Sequence, residues 1–64
     1  MNASELRRYL RKLDSSVQFI TDRGKGGHIM VVRGNRKTML PTHGGRKELG
    51  KGLVKKILRD LELD

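Results

Sequence analysis

His28-Ile29-Met30-Val31-Val32-Arg33-Gly34-Asn35-Arg36-Lys37-Thr38-Met39-Leu40-Pro41 decides the fold. Two β-prone runs flank Gly34-Asn35, a two-residue turn signal of the Gly-first type that suits a tight hairpin. Pro41 has no N–H to offer a ladder and ends the second run. The turn also sets the register. With Arg33 opposite Arg36, His28 falls opposite Pro41. Side chains alternate along each strand. One face therefore carries Ile29, Val31, Thr38 and Leu40, and the other carries His28, Met30, Val32, Lys37, Met39 and Pro41, with His43 just beyond. The first face is the expected core, because branched aliphatics pack there. The second is then an open face with a methionine-lined floor and histidines at one end. A slip of one residue would exchange the two faces.

Upstream of the hairpin, residues 17–22 (Val17-Gln18-Phe19-Ile20-Thr21-Asp22) are β-branched and aromatic enough for a further strand. Residues 3–13 show helical spacing, with Leu6, Leu10 and Leu13 on one stripe flanked by Ala3 and Tyr9. Asn2 and Glu5 stand at capping-box spacing. Arg7, Arg8, Arg11 and Lys12 fall on the solvent side, and Asp14-Ser15-Ser16 ends the helix as a polar turn. Downstream, residues 42–49 read as a basic loop. Residues 50–62 read as a second helix with Leu53, Val54, Ile57, Leu58 and Leu61 at helical spacing and Gly50 as its N-cap. The order is α-β-β-β-α, an α+β chain with a three-stranded antiparallel sheet and two helices on one face. Its length of 64 residues predicts one domain, spanning 1–64, with one small core.

Composition narrows the function. There is no cysteine, so no disulfide framework or thiolate metal site supports the fold. No apolar run approaches a membrane span and no secretory signal is visible, so the expected compartment is the cytoplasm. Lys and Arg number 15 against 7 acidic residues, a net charge of +8. That excess attracts phosphates, so nucleic acid is the first expectation and an acidic protein partner the second. A membrane surface ranks third, and one Phe, one Tyr and no Trp are a poor set for it. The same shortage argues against base-stacking sheets of the RNA-recognition-motif or OB type.

The positive charge has a focus at Arg23-Gly24-Lys25-Gly26-Gly27-His28, where a glycine-rich turn runs into the first hairpin strand. From residue 23 to residue 47 there is no Asp or Glu. Glycines permit close backbone approach to a ligand, Arg23 and Lys25 supply charge, and a histidine can exchange a proton near neutral pH. The turn is not a P-loop, since the lysine and Ser/Thr that must follow its second glycine are missing, and it does not complete a dinucleotide fingerprint. Two histidines with no carboxylate or thiolate nearby in sequence make no convincing metal site. Lys51, Lys55 and Lys56 cluster near the N-terminus of the second helix, which favours anions.

Three pieces of the chain, in order and spanning nearly its whole length, resemble the HicA toxins, small mRNA interferases of bacterial toxin–antitoxin pairs. Arg23-Gly24-Lys25-Gly26-Gly27-His28 is similar to the family's basic, glycine-containing turn before its histidine. Met39-Leu40-Pro41-Thr42-His43 is similar to its strand ending in a valine-proline pair and a histidine. Lys47-Glu48-Leu49-Gly50-Lys51-Gly52-Leu53, followed by Ile57-Leu58, is similar to the series opening its last helix. Many members carry Ser and a second His on either side of the catalytic histidine, where this chain has Gly27 and Ile29. The resemblance implies a double-stranded-RNA-binding-like fold, RNA cleavage without a metal or other cofactor, a HicB antitoxin partner, and His28 as the catalytic histidine.

The chemistry this asks for is modest. RNA carries its own nucleophile, the 2′-OH beside the scissile phosphate. An enzyme must accept that proton, stabilise charge on phosphorus and protonate the leaving 5′-oxygen. His28 is the candidate proton-transfer group, and His43 a candidate second one. Lys25 and the backbone N–H groups around Gly26 and Gly27 are the candidates to stabilise the phosphorane. Arg23, Arg36, Lys37, Arg46, Lys47 and Lys51 complete the candidate RNA contacts. Two other readings stay open on the residues alone: a non-catalytic double-stranded-RNA-binding module using the same basic loop, and a small interaction protein whose charge serves an acidic partner.

Overall fold

The structure, a computed structural model, describes residues 1–21, 27–42 and 47–64. Five elements follow one another: α1 (Ala3–Leu13), β1 (Gln18–Ile20), β2 (His28–Arg33), β3 (Arg36–Pro41) and α2 (Lys51–Asp60). Gly34 has a φ of 60° and Asn35 does not go positive, so only the first turn residue needs the left-handed region, as a Gly-first turn requires. That turn pairs Arg33 with Arg36 and runs the ladder to His28 opposite Pro41. The expected register is the observed one. β1 pairs antiparallel with the other side of β2, Phe19 opposite Val31, giving a sheet in the order β1-β2-β3.

The register sorts the side chains as the sequence predicts. Ile29, Val31, Thr38 and Leu40 are buried, while Met30 and Val32 are half-buried and Met39 is 41% exposed. Both helices pack on the first face. Ala3, Leu6 and Leu10 of α1 and Ile57 of α2 join Val17, Ile29, Val31, Leu40 and Leu61 in one cluster, edged by Phe19, Leu49, Leu53, Val54, Leu58 and Leu63. Each fully buried Leu or Ile here contributes about 1.5–3 kcal/mol. Thr38 is the one polar side chain in this layer among the described residues, and its hydroxyl donates to Asp60 Oδ2 at 2.9 Å. The hydrogen bond removes the cost of burying it.

The helix ends obey their local chemistry. Asn2 Oδ1 accepts from the Glu5 N–H and Glu5 Oε1 accepts from the Asn2 N–H, each at 2.9 Å, so the capping box forms. Leu13, expected on the apolar stripe, is 43% exposed, because α1 stops there and the chain turns away at Asp14. β1 is shorter than residues 17–22, although Val17, just before it, is buried. α2 ends at Asp60, two residues before the expected limit. Leu63 N–H donates to Leu58 O and Glu62 N–H to Arg59 O, a Schellman closure. Glu62 takes the left-handed position at φ 58°, where glycine is usual.

Candidate functional site

His28 is the first residue of β2 and lies, half-buried, on the open face. The ladder does not fray there. Beyond the His28–Pro41 pair, the Thr42 N–H donates to the Gly27 carbonyl, so paired backbone closes on both sides of the histidine. Gly27 has a φ of 82°, a conformation that L side chains rarely adopt, which accounts for glycine immediately before His28. The imidazole is therefore carried by a strand rather than a loop tip.

Across the ladder, Pro41 borders a cavity of about 200 Å³ shared with Lys47, Gly50 and Leu53. Gly50 caps α2 with no side-chain hydrogen bond, and no acidic residue stands in the first turn, where Lys51 leads. The first turn of α2 thus carries no carboxylate on its orphan N–H groups, although Glu48 lines the same cavity. The start of the chain holds this segment in place. Leu49 N–H donates to Met1 O at 2.9 Å, Asn2 bridges to Glu48, and the Met1 ammonium pairs with the Glu48 carboxylate. The structure thus brings His28, Lys47 and the Lys51 end of α2 to one end of the sheet.

It does not bring every candidate there. Lys37 lies opposite Val32, four residues along β2 from His28 or about 13 Å away. Arg36 is beside the hairpin turn and its Nη2 donates to Glu62 Oε2 at 2.7 Å. Arg23, Lys25, Gly26, His43 and Arg46 lie outside the described residues.

A second basic surface was not singled out in the sequence. Arg7 and Arg11, one helical turn apart on α1, both lie over the Phe19 ring of β1, their guanidinium carbons 5.0 and 5.2 Å from its centroid. With Ser4 and Arg8 they line an open groove of about 520 Å³. The available signal was the four-residue spacing of the two arginines together with the single Phe. The missing one was which helix face meets which strand.

Arg33, Arg36 and Lys56 are matched by carboxylates. Arg33 Nε donates to Asp14 Oδ2 at 2.6 Å and its Nη1 to the Leu61 carbonyl at 2.8 Å, joining the ends of α1, β2 and α2. Asp14 also accepts from the Ser16 hydroxyl and N–H, and these bonds, with Arg33, hold its carboxyl at about 2, below the usual 3.8. Lys56 and Thr38 both donate to Asp60 and hold its carboxyl below the usual range. Among the described residues no carboxylate pairs with Arg7, Arg8, Arg11, Lys37, Lys47 or Lys51.

No helix among the described residues is long and apolar enough to cross a membrane. No solved structure matches the chain. The chain is 43% identical over 63 residues to a protein of Pseudomonas fluorescens (strain Pf0-1) named "Probable mRNA interferase HicA", covering 98% of this chain and 97% of that one. The family described as the HicA toxin of bacterial toxin-antitoxin matches residues 3–63. By family match and by near-full-length identity, the chain belongs to the HicA toxin family.

Proposed function

We propose that this chain is the toxin of a toxin–antitoxin pair and a metal-independent endoribonuclease that cuts mRNA with His28 and so blocks translation. The observation that carries the reading is the setting of His28: a strand-held residue at the end of a closed ladder, whose partner Pro41 borders the cavity that Lys47 and the Gly50 end of α2 also line. A strand fixes a proton-transfer group more firmly than a loop, and the neighbouring cations and N–H groups suit phosphate.

In this mechanism His28 moves the proton of the 2′-OH or supplies the one taken by the leaving oxygen. The 2′-oxygen attacks phosphorus and the bond to the 5′-oxygen breaks, leaving a 2′,3′-cyclic phosphate and a 5′-hydroxyl. His43 is the candidate second proton-transfer group. Lys25 and the N–H groups of Gly26 and Gly27 stabilise charge on phosphorus. Arg23, Arg46, Lys47 and Lys51 hold flanking phosphates, and Arg36 and Lys37 lie further along the strand path. The partner is an acidic, HicB-like antitoxin. It covers His28 together with the apolar open face formed by Ile20, Met30, Val32 and Met39, a surface whose character suits a protein interface. The chain works as one domain over residues 1–64, in the cytoplasm.

The test is RNA integrity in EDTA, with the wild type beside His28→Ala at equal concentration and with the RNA ends identified. Cleavage by the wild type alone, leaving cyclic phosphate ends, is expected. Equal cleavage by both proteins would remove His28 from the mechanism. RNA binding without cleavage by a folded wild type would make the chain a non-catalytic RNA-binding module.

A further inference from the structure

We propose that the groove between α1 and β1, lined by Ser4, Arg7, Arg8, Arg11 and Phe19, is a second RNA-binding site that grips the phosphodiester backbone of the substrate away from the cleavage point. The inference rests on the reading that the substrate is RNA.

Ser4, Arg7, Arg8 and Arg11 stand at successive helical spacings on α1 and so share one face. Like charges four residues apart on a helix destabilise it, yet Arg7 and Arg11 are drawn to one place by the Phe19 ring. The ring limits the freedom of both guanidinium groups, so less entropy is lost when they take up a ligand. No carboxylate among the described residues balances them. Glu5 is held in the capping box, Asp14 by Ser16 and Arg33, Glu48 by the Met1 ammonium, Asp60 by Thr38 and Lys56, and Glu62 by Arg36. Three positive charges thus face an open groove with a hydroxyl at one end.

The chemistry favours a phosphodiester over an acidic protein. Planar guanidinium forks match phosphate oxygens two at a time, and the Ser4 hydroxyl can donate to a third oxygen. A protein partner wants a charge-depleted, apolar centre. Here the one ring in the groove lies beneath two cations. The apolar surface is on the other side of the sheet, at Met30, Val32 and Met39. Phe19 pairs with Val31, three residues or about 10 Å along β2 from His28, and β1 is an edge strand. One RNA strand passing over the β1 edge could therefore meet both sites.

The test uses the His28→Ala background, so that a single-stranded RNA oligonucleotide survives the titration. Arg7→Gln with Arg11→Gln is expected to weaken RNA binding roughly tenfold at about 0.1 M salt, and to reduce the slope of log affinity against log salt by about 1–2. Arg59→Gln, on the far end of α2 with no ion pair among the described residues, is expected to change little. Arg7→Lys with Arg11→Lys keeps the charge and the helix, and is expected to restore the salt slope but only part of the affinity. RNA binding unchanged in the folded glutamine variant would overturn the groove while leaving the RNA reading intact. No RNA binding by the parent would overturn both. If the glutamine pair lowered binding of polyglutamate but not of RNA, the groove would belong to an acidic protein and the proposal would fail.

Discussion

Arg33 and Arg11 come from the same composition but work in opposite ways. Arg33 is half-buried at the end of β2 and fully engaged, with Asp14 on one nitrogen and the Leu61 carbonyl on another. Arg11 is exposed on α1, rests on a ring it shares with Arg7, and has no carboxylate within reach among the described residues. The same division separates two regions. Around the hairpin turn and the C-terminus of α2, Arg33, Arg36 and Lys56 are matched with Asp14, Glu62 and Asp60. Along α1 and around the N-terminus of α2, Arg7, Arg8, Arg11, Lys47 and Lys51 are not matched among the described residues. The first region uses charge to hold elements together. The second leaves part of the chain's positive charge facing outward, where a polyanion can take it.

The largest effect that separates the two regions is expected from Arg33→Gln. It strands the carbonyl of the fully buried Leu61, and an orphaned buried acceptor costs about 1–3 kcal/mol. Thermal unfolding should show the loss, while the salt dependence of RNA binding should not move. A change in that salt dependence would mean that Arg33 also meets phosphate, and the division would break.

Acid should act on the first region before the second. Asp14 and Asp60 have folded pKa values below their ordinary ones, Asp14 at about 2. Their contribution is complete above the ordinary carboxylate value and is lost as pH falls from about 4 towards 2. Melting temperature followed from pH 5 to pH 2 should fall across that window, and Asp14→Asn should flatten the fall. A curve of the same shape in both proteins would sink the assignment.

These regions also show what could be read from the residues alone. The turn at Gly34-Asn35 carries its own geometry, so the ladder from Arg33–Arg36 to His28–Pro41 and the buried set of Ile29, Val31, Thr38 and Leu40 were all legible. So was the capping box of Asn2 and Glu5, three residues apart. The pairing of Arg33 with Asp14 spans 19 residues and its bond to Leu61 spans 28. No local pattern specifies either, because both depend on where three element ends meet. The groove over Phe19 escaped for the same reason: periodicity places arginines on a face without saying what lies beneath. Glu62 in a left-handed cap also ran against propensity, and its place is supported by the contact of its carboxylate with Arg36. At the site, the β2–β3 ladder sets His28 opposite Pro41, and Pro41 borders the cavity lined by Lys47 and Gly50 at the start of α2. Arg36 and Lys37 are carried the other way by the same ladder.

Two glycines give a smaller, two-sided comparison. A Cβ would meet nothing within 4 Å at Gly34 or at Gly52, so space is not the issue at either. Gly34 has φ 60°, and Gly34→Ala is expected to cost about 1 kcal/mol. Gly52 lies in the first turn of α2 with ordinary angles, and Gly52→Ala is expected to stabilise by about 0.5 kcal/mol. Chemical denaturation of both variants checks the opposite signs. A loss at Gly52 as large as that at Gly34 would show that its place in the helix is not the ordinary one described.

The finest test falls on Arg36, which belongs to the matched region by geometry and to the RNA contacts by sequence expectation. Its pair with Glu62 is exposed on both sides, 47% and 59%, so Arg36→Ala should shift stability by no more than about 0.5 kcal/mol. What it does to RNA binding is more telling. If Arg36 is committed to Glu62, the affinity and salt slope should stay within error of the parent. If the exposed pair opens and Arg36 turns to a phosphate, the slope should fall by about 1. Glu62→Gln then distinguishes the two cases from the other side. Releasing Arg36 should strengthen RNA binding only if the carboxylate competes with phosphate for the same guanidinium.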